Sequence, residues 1–204
     1  VAFKFKEANS VVLGTFNIYI FRPDWISEHI PQLPLTESIS LKTDLSAPGR
    51  RFTFDDSLTC TIRPDRVVFE STSPSVDCGA FIFSVIDALP HTPFQAVGNN
   101  VHYFADNDED VNELAQAGGG VFVSSDRSTT KQRTWHVQVA EGAAVFNFQL
   151  AIRDDDGDSL AKLSVNAHLE TSDCDCAKEF AQSFHDHQRR MKQLIREITT
   201  FEVE

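Results

Sequence analysis

Cys174, Cys176, His185 and His187 put two thiols and two imidazoles into one short stretch, the donor types of a zinc centre. Their spacing argues against that use. A helix rising about 1.5 Å per residue sets Cys176 and His187 about 16 Å apart along its axis, whereas zinc ligands converge to within about 2.3 Å of one ion. His185 and His187 also point to different sides of such a helix. His187 is expected in the core or at an interface, His185 at the surface, and no metal ligand is assigned.

Two acidic clusters, Asp106-Asn107-Asp108-Glu109-Asp110 and Asp154-Asp155-Asp156-Gly157-Asp158, invite a calcium reading. An EF-hand loop needs Gly at its sixth position and Glu at its twelfth. The first cluster offers Val111 and Ala117 there, the second Ser159 and Val165. Both read better as a helix cap and a solvated turn. No G-x-S-x-G elbow occurs, and Gly118-Gly119-Gly120 lacks the Lys-Ser/Thr of a phosphate loop. His91 lies near Asp87 in sequence, but nothing else in its segment orients it as a base. His29, His102, His136 and His168 sit in apolar or alternating segments and read as structural. No catalytic residue and no cofactor are assigned.

The elements that position these groups follow from periodicity. Val12 to Phe21 alternates as a strand, and Pro23 opens a short helix to about Ile30, with Trp25 on its apolar side. Strands are expected at Ser38–Thr43, Arg51–Asp55, Leu58–Arg63 and Arg66–Ser71, the last two joined by Pro64-Asp65. A helix from Asp77 carries Phe81, Ile82, Val85, Ile86 and Leu89 to a stop at Pro90. The second half repeats the order: strand Phe94–Phe104, short helix Asp108–Ala117, strands Gly120–Ser124, Thr134–Ala140, Ala144–Arg153 and Leu160–Leu169, then a long helix from about Cys174 to Thr200. Asp156-Gly157 is the turn of the last hairpin. Ser172 and Asp173 suit the start of the final helix. Ala177, Phe180, Phe184, His187, Met191, Leu194 and Ile198 form a heptad-like seam along it.

Two spacings suggest an internal duplication over about 10–90 and 92–200 within one domain. Gly14 and Tyr19 are matched by Gly98 and Tyr103, which predicts equivalent strands for the two tyrosines. Asp77-Cys78 and Asp175-Cys176 each open a long helix. The fold class expected is α+β: a curved, mostly antiparallel sheet from two β-α-β4-α-like halves, helices on one face, and a long C-terminal helix.

This element order resembles the duplicated saddle of the TATA-binding-protein fold and its helix-grip relatives. That resemblance implies helices on one sheet face and a free concave face opposite. Locally, Thr15-Phe16-Asn17 through Trp25 and His91-Thr92-Pro93 through Asn100 are similar to segments of uncharacterised bacterial proteins.

Composition limits the function. The 204 residues carry 17 Phe, one Met and two Trp, and a formal charge of −12. The charge divides as −3 up to Ala105 and −9 beyond. Such a chain repels phosphate backbones, so nucleic acid is not an expected partner. No apolar run approaches the roughly 20 residues needed to span a bilayer. No membrane role and a cytoplasmic location are expected, with the cysteines reduced.

The function expected is a non-enzymatic binding or assembly module. It engages a protein partner, or a second copy of itself, through a sheet face or the C-terminal helix. The binding residues expected are Phe180, Phe184, His187, Met191, Trp25, Tyr19 and Tyr103. The rival reading is a pocket for a small apolar ligand under the last helix, lined by Phe180, Phe184, His187 and Met191.

Overall fold

A computed structural model describes residues 1–33, 40–43, 48–105, 131–155, 158–199 and 201–204. Alternation of apolar and polar side chains turns most of these residues into strands. They are β1 (Ala2–Gly14), β2 (Ser40–Thr43), β3 (Arg50–Thr53), β4 (Leu58–Arg63), β5 (Arg66–Ser71), β6 (Phe94–Ala105), β7 (Lys131–Glu141), β8 (Ala144–Asp155), β9 (Asp158–Glu170) and β10 (Glu202–Val203). The helices among the described residues are α1 (Pro23–His29), α2 (Cys78–Ala88), α3 (Cys174–Gln182) and α4 (Phe184–Ile198). The result is an α+β fold.

Hydrogen-bonded neighbours follow the order β2-β3-β4-β5-β1-β6-β9-β8-β7, and β10 lies parallel beside β1. The pairs β1/β5, β2/β3, β3/β4, β4/β5 and β7/β8 are antiparallel. Tight turns fix two of these registers. Arg63 opposes Arg66 across Pro64-Asp65, and Glu141 opposes Ala144 across a turn in which Gly142 takes φ +62°. That left-handed conformation is one glycine adopts without a Cβ penalty.

The chain forms two compact units. One comprises Glu7–Asn99 and His168–His187, the other Val1–Lys6, Asn100–Ala167 and Gln188–Glu204. In the Glu7–Asn99 unit the core gathers Val12, Phe52, Ile62, Phe69, Ile82 and Val85, all fully buried. The Phe69 and Phe81 rings, 5.2 Å apart, join β5 to α2. α2 meets α3 at Gly79, where a Cβ would fall 2.0 Å from the Ala181 carbonyl oxygen and 2.6 Å from the Phe184 Cβ. Glycine is what lets the two helices approach that closely. In the Asn100–Ala167 unit the core holds Phe3, Val101, Phe148, Leu163, Met191 and Ile195. Here α4 is tied to β7: Arg190 Nε donates to both oxygens of Glu141, at 3.0 and 2.9 Å.

Several expectations are met closely. α1 begins at Pro23, β4 and β5 have the expected bounds, and Asp77 caps α2 by accepting from Ala80 N at 3.0 Å. Others need correction. The strand expected over Val12–Phe21 starts at Ala2 and stops at Gly14, and Ile18–Ile20 is a turn. Asn17 causes this by bonding locally: its side-chain oxygen accepts from Tyr19 N at 3.1 Å and its carbonyl accepts from Ile20 N at 3.3 Å, a short-range competitor to the sheet ladder.

The long C-terminal helix is two helices. Ser183 sits between them with ψ 16°, and its Oγ donates back to the Glu179 carbonyl at 2.9 Å, a bond that bends helices. The cap of α3 is Asp173, which accepts from Cys176 N at 2.8 Å. Asp175 therefore does not play the part of Asp77. The helix expected at Asp108–Ala117, the strand at Gly120–Ser124, the first acidic cluster and the Asp156-Gly157 turn lie outside the described residues. No helix among the described residues is long and apolar enough to cross a membrane.

Candidate functional site

β6 places Asn99 and Asn100 side by side in sequence and, by the alternation of a strand, on opposite faces. Each asparagine belongs to a different polar array. The two arrays do different things.

Asn99 faces inward and is fully buried, as is Ser10 on β1. Ser10 Oγ donates to Asn99 Oδ1 at 2.7 Å. Asn99 Nδ2 donates to the Phe180 carbonyl at 3.4 Å and to His187 Nδ1 at 2.8 Å. This fixes His187 as the tautomer that accepts at Nδ1. The Phe180 ring lies 4.3 Å from the imidazole, and burial lowers the His187 pKa, with Asp186 pulling weakly the other way. Asn99 stands between Ser10 and His187, so the string is no nucleophile–base pair. Its effect is to satisfy buried polar atoms near the α3–α4 break.

Asn100 begins a row of amides across four strands, all within the Asn100–Ala167 unit. Gln138 Nε2 on β7 donates to Asn147 Oδ1 on β8 at 2.9 Å. Asn147 Nδ2 donates to Asn166 Oδ1 on β9 at 3.3 Å. Asn166 Nδ2 donates to Asn100 Oδ1 at 2.5 Å. A tight turn explains the first of these contacts: Gln138 and Asn147 are equally far from the Gly142-Ala143 turn and so directly opposed, as equal distances from a two-residue turn require. The next rung holds His102 Nδ1 against Ser164 Oγ at 2.9 Å. Beyond it Phe104 lies under two ammonium groups, Lys6 Nζ at 4.9 Å and Lys162 Nζ at 5.6 Å from its centroid. These members are half-buried or exposed.

The expected binding residues scatter. Tyr19 is 72 % exposed in the turn after β1, with the Arg50 guanidinium 5.9 Å from its ring. Trp25 is half-buried on α1 and stacks on His29 at 4.5 Å. Tyr103 is fully buried on β6, and burial pushes its phenol up to about 12. The two tyrosines therefore do not occupy equivalent strands. Phe180, Phe184 and His187 fall in the Glu7–Asn99 unit and Met191 in the other; both phenylalanines and Met191 are buried. The seam along the last helices is thus filled largely by the chain itself.

Ser10, Asn99 and the amide row were not among the expected residues. A signal existed for the first two: Ser10 shares strand parity with Ala8 and Val12, and Asn99 with Val97 and Val101.

Nucleophilic cysteine chemistry finds no support. Cys60 is raised well above the ordinary thiol range by burial, and Cys78 is pushed up to about 12 by burial and by Asp77 and Glu70. Asp173, by hydrogen bond and charge, raises exposed Cys176. His185 Nε2 approaches Asp77 at 3.9 Å, away from the Asn99 string. Among the described residues no three His, Cys, Asp or Glu side chains gather as a metal site. No family model matches this chain, and no curated protein matches its sequence.

Proposed function

We propose that the chain is a non-enzymatic binding module that engages a protein partner through the outward face of β6, β9, β8 and β7. The amide row carries this reading. Gln138, Asn147, Asn166 and Asn100 present donors and acceptors at fixed spacing across the strands, ready to exchange hydrogen bonds with a second surface. Within the Asn100–Ala167 unit none of the outward positions whose burial is described is acidic, although the chain holds 30 Asp and Glu; Glu170, exposed at the far end of β9, lies beyond it. By contrast, the close approach of α2 and α3 at Gly79 argues against a ligand cavity at that junction.

The strand order also supports the proposed duplication. Outward from β1 the neighbours are β5, β4 and β3, and outward from β6 they are β9, β8 and β7. Each series starts from the first strand of its half and returns through later ones in reverse.

The test is affinity purification of the tagged chain from its native cells, beside a variant carrying Asn147→Asp and Asn166→Asp. A stoichiometric protein held by the native chain and released by the equally folded variant is expected. A partner held equally by both, or none held by either, overturns the proposal.

A further inference from the structure

A sheet ends where a strand has a neighbour on one side only, and proteins guard such ends with short strands, charges, proline or a bulge. β2 fits that practice at 4 residues. β7 does not. It is 11 residues long and pairs one-to-one with β8 along its whole length, without a bulge, and among the described residues nothing pairs with its other side. Its stretch Thr134–Ala140 holds no proline, no glycine and no Asp, Glu, Lys or Arg.

The core is open along this edge. Trp135, Val137 and Val139 share the sheet face of Leu150, Phe148 and Phe146, their partners on β8. Those partners are buried, whereas the three β7 residues are only half-buried. The hairpin also determines which main-chain groups are left over. Glu141 and Ala144 flank a two-residue turn, so they form a closely bonded pair, and such pairs alternate with unbonded ones. The odd-numbered residues of β7 therefore bond to β8. Gln132, Thr134, His136, Gln138 and Ala140 turn their N–H and C=O to the open edge.

We infer that the chain forms a two-fold dimer by antiparallel pairing of β7 with β7 of a second copy. A two-fold interface must be self-complementary, and this strand is. Full overlap of two copies puts the axis at the midpoint, His136. Every residue then opposes one of its own parity, so the open N–H and C=O groups of one strand meet those of the other in about ten main-chain hydrogen bonds. On the side where the core is open, Trp135 of each copy falls opposite Val137 of the other, a stabilising aromatic–β-branched pair. On the other side Thr134 falls opposite Gln138. The register also sets Lys131 opposite Glu141, so unlike charges meet at each end. β7 carries Lys131 and Arg133 against that one acidic residue, so the net charge of −12 resides elsewhere on the chain, and salt screens charges more than about 10 Å away. The contact uses the edge of β7 and is independent of the face proposed above.

The experiment measures mass by light scattering on a size-exclusion column, from low micromolar to submillimolar chain at about 0.15 M salt. The native chain should rise to twice the mass of one chain. His136→Pro removes an N–H that faces the open edge and none that bonds to β8; it should stay at the mass of one chain, with a thermal melt like the native one. A crosslink checks the register. With Cys174→Ser and Cys176→Ser removing the two cysteines that are not buried, His136→Cys should oxidise to a dimer, because opposed residues at the axis stand about 5.5 Å apart. Thr134→Cys should not, because the two copies of that residue lie roughly 13 Å apart along the paired strands. One-chain mass at every concentration, a dimer retained by a normally melting His136→Pro, or equal crosslinking at positions 134 and 136 overturns the inference. Where His136→Pro melts early, the two cysteine variants decide.

Discussion

The same three residue types, Asn, His and Ser, make two arrays that obey opposite rules. In the Glu7–Asn99 unit Ser10, Asn99 and His187 bond to one another and to the Phe180 carbonyl, with Ser10 and Asn99 fully buried. In the Asn100–Ala167 unit Asn100, Asn166, His102 and Ser164 bond across strands but stay half-buried. Burial sets the difference. A buried polar atom without a partner loses its water and gains nothing, whereas an exposed one returns to water. The inner array is accordingly a stability element, and the outer one is available for recognition.

The largest expected effect tests that division directly. Asn99→Leu keeps the volume but removes the partner of Ser10 Oγ, the Phe180 carbonyl and His187 Nδ1. At about 1–3 kcal/mol for each buried group left unsatisfied, partly relieved by rotation of Ser10, the loss should be about 3 kcal/mol. Asn100→Leu, one residue away, should cost less than about 1 kcal/mol, because Asn166 can turn to water. Urea unfolding of both variants decides the matter. Equal losses would show that the two arrays do not differ in kind.

Legibility in the sequence follows the range of the interactions. β4, β5 and α2 could be placed almost to the residue because Pro64-Asp65, the Asp77 cap and Pro90 act locally. β1 was misplaced because the apolar alternation of Phe16, Ile18 and Ile20 outweighed one asparagine. Asn17 wins in the structure by bonding its own neighbours. The break at Ser183 was hidden for a similar reason: the heptad-like seam continues through it, while the bend comes from a side-chain hydroxyl. The Asn147–Asn166 part of the amide row was implicit in the equal sequence distance of the two residues from Asp156-Gly157. Its extension to Asn100 was not, since β6 and β9 are distant in sequence and only the assembled sheet sets their register.

Acid should separate the arrays next, with a smaller effect. His187 Nδ1 accepts from Asn99, so protonating it would set a new donor against a donor. Burial lowers its folded pKa below the ordinary 6.5. The sign follows: above about 6.5 both folded and unfolded forms are neutral and the stability is fully present. As pH falls below that value the unfolded chain takes up the proton first, and stability is lost until the folded pKa is passed. The difference in stability between the native chain and His187→Gln, which retains an acceptor but cannot titrate, should therefore change as pH falls from about 6.5 through the lowered folded pKa. A constant difference across that window would show that the ring is not held neutral by the Asn99 string.

The smallest effect concerns a polar atom that breaks the inner rule. Tyr103 is fully buried, yet its hydroxyl has no hydrogen-bond partner among the described residues. Its ring earns its place by packing, edge-on to Phe5 at 6.3 Å. The hydroxyl carries only the cost of leaving water, which the satisfied string around Asn99 avoids. Tyr103→Phe keeps the ring and deletes that atom, so the chain should be unchanged or more stable by up to about 1 kcal/mol. A loss of more than that on urea unfolding would mean that the hydroxyl is satisfied in solution, and the inner rule would then hold in both units.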